Sequence, residues 1–178
     1  MKPRFSAFFL CVPLVFSLQA RATILPDACG DDKVKFEVST KSHQPPPAPP
    51  ADGKAQIVFI QNENLMIGPF MHATVRFGLD GAWAGANNNN SYFAVNVDPG
   101  VHHLCVSWQS ALPLLKKSID VASFTADPGR VYYFAANVKV IPVGDNNATY
   151  DFSLTQLDDD EGKYRVKAWK VATSTPNK

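Results

Sequence analysis

Two turn signals in the middle of the chain constrain its fold more than any other feature. Asp80-Gly81 and Asp98-Pro99-Gly100 each lie between two runs in which apolar and polar residues alternate. Alternation with a period of two places every second side chain on the same face of a β-strand, and the apolar face is buried. The stretch from 73 to 108 therefore predicts successive antiparallel strands.

Similar runs lie on both sides of this stretch. The residues at 55–61 (AQIVFIQ) are apolar on both faces, which is typical of a central strand that is covered on both sides. Later runs between 117 and 154 are separated by further turn signals, and a change of phase near Ala122-Ser123 indicates a bulge. Roughly eight short strands with frequent turns predict an all-β fold, an antiparallel β-sandwich.

The C-terminal segment fits two patterns. Apolar residues between 157 and 171 recur at helical spacing, and the acidic run at 158–161 suits the first turn of a helix. Tyr164, Val166 and Ala168 also alternate as they would in a strand. We expect a short helix here, followed by a frayed tail at 174–178.

The N-terminus has the features of a secretory signal peptide. Lys2 and Arg4 precede an apolar run at 5–18, and Ala20-Arg21-Ala22 is a small-x-small cleavage site. The run is shorter than the roughly 20 apolar residues that span a bilayer. We predict a signal peptide over 1–22 and an exported product, periplasmic or extracellular, that is soluble after cleavage and has no transmembrane segment.

Composition divides the predicted mature chain into four parts. An N-terminal strand segment at 23–44 leads into a proline-rich linker at 45–52, which favours extended polyproline II structure. The β-sandwich domain is expected at 53–157, and the helix and tail at 158–178. We interpret the linker as a stiff spacer; the alternative is that it is a proline-motif ligand for another protein.

Two cysteines remain after the predicted cleavage, because Cys11 lies in the signal peptide. In an oxidising compartment Cys29 and Cys105 most simply form a disulfide, the alternative being two buried free thiols. Lys and Arg number 17 against 16 Asp and Glu, a formal net charge of +1. This balance gives no electrostatic case for binding nucleic acid or an anionic membrane surface.

The chain has no pattern that is typical of a catalytic or metal site. His102 and His103 are adjacent in a predicted strand and point to opposite faces, so they cannot bind one ion together. No serine stands in a G-x-S-x-G elbow, and the acidic run at 158–161 lacks the spaced ligands of a calcium loop. We predict no enzyme activity, no metal and no cofactor, and a packing role for both histidines.

Trp83 is the best candidate for contact with a ligand. It follows the Asp80-Gly81 turn, at a position where the core has no obvious need for a large ring. Together with Asn88 and Asn90 of the asparagine loop, it could form a platform that stacks on a sugar or a peptide. Packing in the core or at a sheet edge is the alternative.

Several motifs together resemble a known family. They include Gly53-Lys54-Ala55 at the start of a strand, Gly78-Leu79-Asp80-Gly81, Asp98-Pro99-Gly100 followed by His102-His103-Leu104, and Asp127-Pro128-Gly129. Over about 53–156, and again at 160–163, the chain resembles bacterial exported proteins of a domain-of-unknown-function family related to PEGA-type β-domains. The resemblance implies an all-β domain and an envelope or extracellular location, and it supplies no catalytic residues.

Many members of that family look like lipoproteins, and this chain departs from their pattern. A lipid anchor requires a box of small residues directly before a cysteine. Phe8-Phe9-Leu10 precedes Cys11, and Pro26-Asp27-Ala28 precedes Cys29. The sequence thus predicts a non-enzymatic module of the cell envelope that is structural or binds an envelope protein; the alternative is a domain associated with carbohydrate or peptidoglycan.

Overall fold

The computed structural model describes residues 28–62, 74–109, 119–144 and 148–177. The predicted signal peptide lies outside these residues. In the described parts the chain forms ten strands and one helix, in the following order. They are β1 (Lys35–Lys41), β2 (Ala55–Asn62), β3 (Thr74–Leu79), β4 (Ala82–Asn88), β5 (Ser91–Val97), β6 (Gly100–Gln109), β7 (Ile119–Ala126), β8 (Val131–Pro142), β9 (Ala148–Leu157), α1 (Asp159–Ala168) and β10 (Lys170–Asn177).

The strands form two sheets, and the predicted all-β class is confirmed. A six-stranded sheet has the order β1-β10-β5-β2-β8-β9, and a four-stranded sheet has the order β4-β3-β6-β7. Most neighbouring strands are antiparallel, but β2 pairs with β8 and β10 pairs with β5 in parallel. The predicted antiparallel pairing holds for most neighbouring strands, but the six-stranded sheet is mixed.

The main core lies between the two sheets. Phe59 and Phe77 face each other across it with ring centroids 5.0 Å apart, and Phe93 lies 5.2 Å from Phe59. The inward phases predicted for β3, β5 and β6 are confirmed by the residues that this core contains, among them Val75, Val97, Leu104, Val106 and Trp108. The predicted bulge in β7 is wrong, since β6 and β7 pair without a shift; the irregularity lies between Phe77 and Gly78 instead.

A second core lies on the other face of the six-stranded sheet, under α1. Val58 and Ile60 of β2 pack there with Tyr133 of β8 and Val166 of the helix. This cover explains why β2 is apolar on both faces, as the sequence predicts. The predicted C-terminal helix is confirmed, and the carboxylate of Asp158 caps it by accepting a 2.8 Å hydrogen bond from the backbone N–H of Glu161.

Residues 174–177 do not form the predicted frayed tail, because β10 pairs antiparallel with β1. The register runs from Lys35 opposite Asn177 to Lys41 opposite Val171. β1, which lies in the predicted N-terminal strand segment, is consequently an edge strand of the six-stranded sheet. None of the helices that the structure describes is long and apolar enough to cross a membrane.

Candidate functional site

Trp83, the predicted ligand platform, is held by the N-terminal part of the described chain. Its indole N–H donates a 2.8 Å hydrogen bond to the carbonyl oxygen of Asp31. Gly30 lies so close to the indole that a Cβ at that position would be 2.4 Å from Cδ1 of the ring. The guanidinium carbon of Arg76 lies 4.3 Å from the ring centroid. The side chain is half-buried by these contacts, so it is not an open platform.

Gly30 and Asp31 belong to an N-terminal strap, residues 28–34, that lies across the outer face of the four-stranded sheet. The predicted Cys29–Cys105 disulfide is present and ties the strap to β6. Arg76 donates hydrogen bonds to the carbonyl oxygens of Asp32 and Val34, at 3.2 and 2.8 Å. Burial lowers the pKa of Arg76, and the nearby Asp32 carboxylate partly opposes this change. The strap therefore explains why a cation is buried on this face.

Asn88 and Asn90 lie at the other end of β4 from Trp83. Asn88 lies five residue steps along the extended strand from Trp83, a distance of about 17 Å. The carbonyl oxygen of Asn88 accepts a hydrogen bond from the Ser91 hydroxyl at 2.7 Å, and that of Asn90 accepts one from the N–H of Lys170 at 3.3 Å. The structure does not bring the three predicted ligand residues together, and the asparagine loop is the turn that leads from one sheet to the other.

His102 and His103 point to opposite faces, as predicted. His103 is exposed on the outer face, whereas the His102 side chain is only 12% exposed and contacts Phe124 and Asp80. Nδ1 of His102 lies 2.6 Å from Oδ2 of Asp80, and Nε2 lies 2.7 Å from the carbonyl oxygen of Asp98. Within the described ranges, no group of three or more His, Cys, Asp and Glu residues is placed to hold a metal ion.

The imidazolium form of His102 is favoured by these two oxygens. An imidazolium donates from both nitrogens, whereas a neutral ring leaves one unprotonated nitrogen facing an oxygen. Burial of the ring lowers the pKa of His102, but the hydrogen bonds to Asp98 and Asp80 together outweigh it and the net pKa is raised. Protonated His102 therefore links two turns and stabilises them: Asp80-Gly81, which precedes β4, and Asp98-Pro99, which precedes β6.

We expect the fold to lose stability as the pH rises from about 6 to 8.5. Because the folded pKa of His102 lies above the ordinary value of about 6.5, its contribution is fully present below that value. The contribution is lost as the pH rises through the folded pKa. Urea unfolding at both pH values measures the difference. His102→Gln should reduce the difference, and the exposed His103→Gln should retain it; an unchanged pH dependence in His102→Gln would refute this assignment.

A second candidate binding feature lies elsewhere, on the outer face of the six-stranded sheet. A groove of about 570 Å³ runs between the proline-rich segment and α1. Its floor is formed by Val58, Val131 and Tyr133. One wall consists of residues 46–50, and the other consists of Lys163, Val166 and Lys167. A volume of this size is typical of sites for small ligands or short segments.

Specific contacts hold both walls of the groove. The side-chain amide of Gln56 donates a 3.0 Å hydrogen bond to the carbonyl oxygen of Ala48, which fixes the proline-rich segment to β2. On the other side Gly162 faces the Tyr133 ring, and a Cβ at Gly162 would be 2.2 Å from Cγ of that ring. The linker predicted as a spacer is thus also a wall of the groove, which sequence reasoning missed.

The mouth of the groove is cationic. Lys163 and Lys167 lie one helical turn apart, and no acidic residue is among the described residues that line the groove. Nζ of Lys163 lies 3.5 Å from Oδ2 of Asp159, and both side chains are more than half exposed. Burial, and secondarily the Asp159 carboxylate, raises the pKa of Tyr133, so the floor remains neutral near physiological pH.

Comparison with known proteins does not assign the chain to a family. The geometry of its own residues is therefore the basis for inferring its function. No family model, no curated protein and no solved structure matches the chain.

Proposed function

We propose that this chain is a non-enzymatic binding module that is exported to the cell envelope, and that the groove is its binding site. The sequence favours export through its predicted signal peptide. The Cys29–Cys105 disulfide supports the same compartment, because disulfides persist in oxidising environments. The resemblance to exported PEGA-like domains agrees with an envelope location.

The groove is the observation that carries the binding role. Three segments that are far apart in the sequence meet there, and each contributes an apolar surface: Val58 from β2, Val131 from β8 and Val166 from α1. Concave, mainly apolar surfaces with a few polar groups at their rim are typical of binding sites. This feature favours a binding module over a purely structural one.

The geometry gives less support to the carbohydrate alternative. That hypothesis depends on Trp83 stacking with Asn88 and Asn90 close by, but the strap covers part of the indole and the asparagines lie at the far end of β4. Most of the residues that line the groove are prolines and valines, and its one aromatic ring, that of Tyr133, is 7% exposed. Sugars need hydrogen-bonding groups and open aromatic faces, both of which are scarce on this floor.

Site-specific photocrosslinking in the producing cells tests the proposed function. Benzoylphenylalanine replaces Val131, which is half-buried on the groove floor, in the full-length chain with its N-terminal segment. The matched control carries the same group at Tyr164, which is 70% exposed and does not line the groove.

We expect a discrete adduct, detected by mass spectrometry, at Val131 and not at Tyr164. The adduct is counted whether it is a protein or a small molecule, so the result does not depend on the class of the occupant. No adduct at Val131, or the same adducts at both positions, would contradict the proposal that the groove is the binding site.

A further inference from the structure

We propose that the occupant of the groove is an amphiphilic carboxylate: a single alkyl chain that lies on the apolar floor, with its anionic head group at Lys163 and Lys167. This inference rests on the proposed function and specifies the chemistry of the ligand. It draws on the lining of the groove, the charge at its mouth and the hydrogen-bonding capacity of its proline wall.

The floor fits an alkyl chain. Val131 is half-buried and offers methyl groups to the groove, whereas Val58 is 1% exposed and Tyr133 is 7% exposed with its ring packed under Gly162. Each methylene that such a floor removes from water strengthens binding by up to about fourfold. Affinity should accordingly increase with chain length as long as the chain remains on the floor.

The charge at the mouth specifies the head group. Lys163 forms an ion pair with Asp159, whereas Lys167 has no ion-pair partner among the residues that the structure describes. Both ammonium groups are one turn apart on the same side of α1, within reach of one carboxylate. A cationic head group would be repelled there, and a neutral one could accept hydrogen bonds from the lysines but would not gain the charge attraction of a carboxylate.

The proline wall disfavours an extended peptide as the occupant. Proline has no backbone N–H, so Pro46, Pro47, Pro49 and Pro50 present carbonyl oxygens and no donors toward a neighbouring chain. The side-chain amide of Gln56 already donates to Ala48. The carbonyl groups of a bound peptide would lose water and could gain only the backbone N–H of Ala48 along this wall, whereas an alkyl chain has no such groups.

Calorimetric titration with three probes of equal chain length tests the proposal. The probes are dodecanoate and dodecyltrimethylammonium, each below its micelle-forming concentration, and dodecanol below its solubility limit. The protein is the chain from Thr23 with its disulfide intact. We expect dodecanoate to bind most tightly and decanoate to bind about tenfold more weakly than dodecanoate. Equal affinity for the three head groups, or no dodecanoate binding, would overturn the proposal.

Charge-matched variants locate the head group. Lys163→Gln/Lys167→Gln should weaken dodecanoate binding about five- to tenfold and leave dodecanol binding unchanged. Lys35→Gln/Lys41→Gln removes the same charge from exposed positions of β1 and should leave both unchanged. An equal loss in the two double variants would overturn the assignment of the head group. A photocrosslinked adduct at Val131 without dodecanoate binding would retain the proposed function and reject this ligand.

Discussion

Replacing Cys29 and Cys105 together by alanine is expected to lower the free energy of unfolding by about 4 kcal/mol. The disulfide joins residues 76 positions apart and closes a loop that includes β1 to β5. In the chain-entropy model, opening a loop of this length gives the unfolded state much more conformational freedom. Loss of the disulfide also releases the strap from β6, so the hydrogen bonds that Arg76 and Trp83 donate to the strap should weaken.

Urea unfolding of the wild-type chain and the double variant measures this effect. Wild-type protein that has been unfolded and refolded in a reducing agent should have the stability of the variant, and the reducing agent should not change the variant. If the variant unfolds at the wild-type urea concentration, the strap and its disulfide do not stabilise the fold and this account of the outer face is wrong.

Gly162→Val is expected to destabilise the protein by about 2–3 kcal/mol and to distort the groove. Glycine is a poor helix former, yet Gly162 lies inside α1. Its hydrogen atoms allow the helix backbone to pack on the Tyr133 ring, and a Cβ there would lie 2.2 Å from Cγ of the ring. A larger side chain must lift α1, and Lys163, Val166 and Lys167 with it, away from the floor.

The control for this variant is Tyr164→Val, which introduces the same β-branched side chain two residues away on the exposed face of α1. It should cost less than about 1 kcal/mol. A double-mutant cycle with Tyr133→Ala tests the cause: Gly162→Ala should be destabilising when the Tyr133 ring is present, and neutral or stabilising in the Tyr133→Ala background. An equal cost in both backgrounds would show that the ring is not responsible.

The elements that could be predicted are those whose signals are local. Alternation from Val75 to Leu79 and from Leu104 to Trp108 reports one buried face directly, and the Asp80-Gly81 turn connects neighbouring antiparallel strands. β10 could not be predicted in this way. Its partner β1 lies more than a hundred residues earlier in the chain, and its own sequence, KVATSTPN, is polar enough to resemble a tail.

Parallel pairing is hidden from the sequence for a similar reason. β2 and β8 pair in parallel, and the connection between them runs through the whole four-stranded sheet. The sequence at 55–61 predicts that both faces of β2 are buried, but it does not predict that α1 covers one of them. That contact is seen only in the structure, where Val166 packs with Val58 and Ile60.

The candidate site was missed because its parts have other, stronger local interpretations. Consecutive prolines predict a stiff spacer, and nothing in their sequence shows that Gln56 fixes Ala48 beside the sheet. The spacing of Lys163 and Lys167 is typical of a solvent-exposed helix face. Trp83, by contrast, attracts attention because tryptophan is common in binding sites, although here the strap uses it for packing.

The most direct test of the central claim is to locate the bound ligand by methyl NMR. Dodecanoate is titrated into the protein with isotope-labelled valine and isoleucine methyl groups. We predict progressive shifts at Val58, Val131 and Val166, with little change at Val75 and Val106 in the core between the sheets. Shifts confined to other methyl groups, such as those of the exposed Val101, would contradict the claim that the groove is the binding site, whereas no shifts at all would reject this ligand.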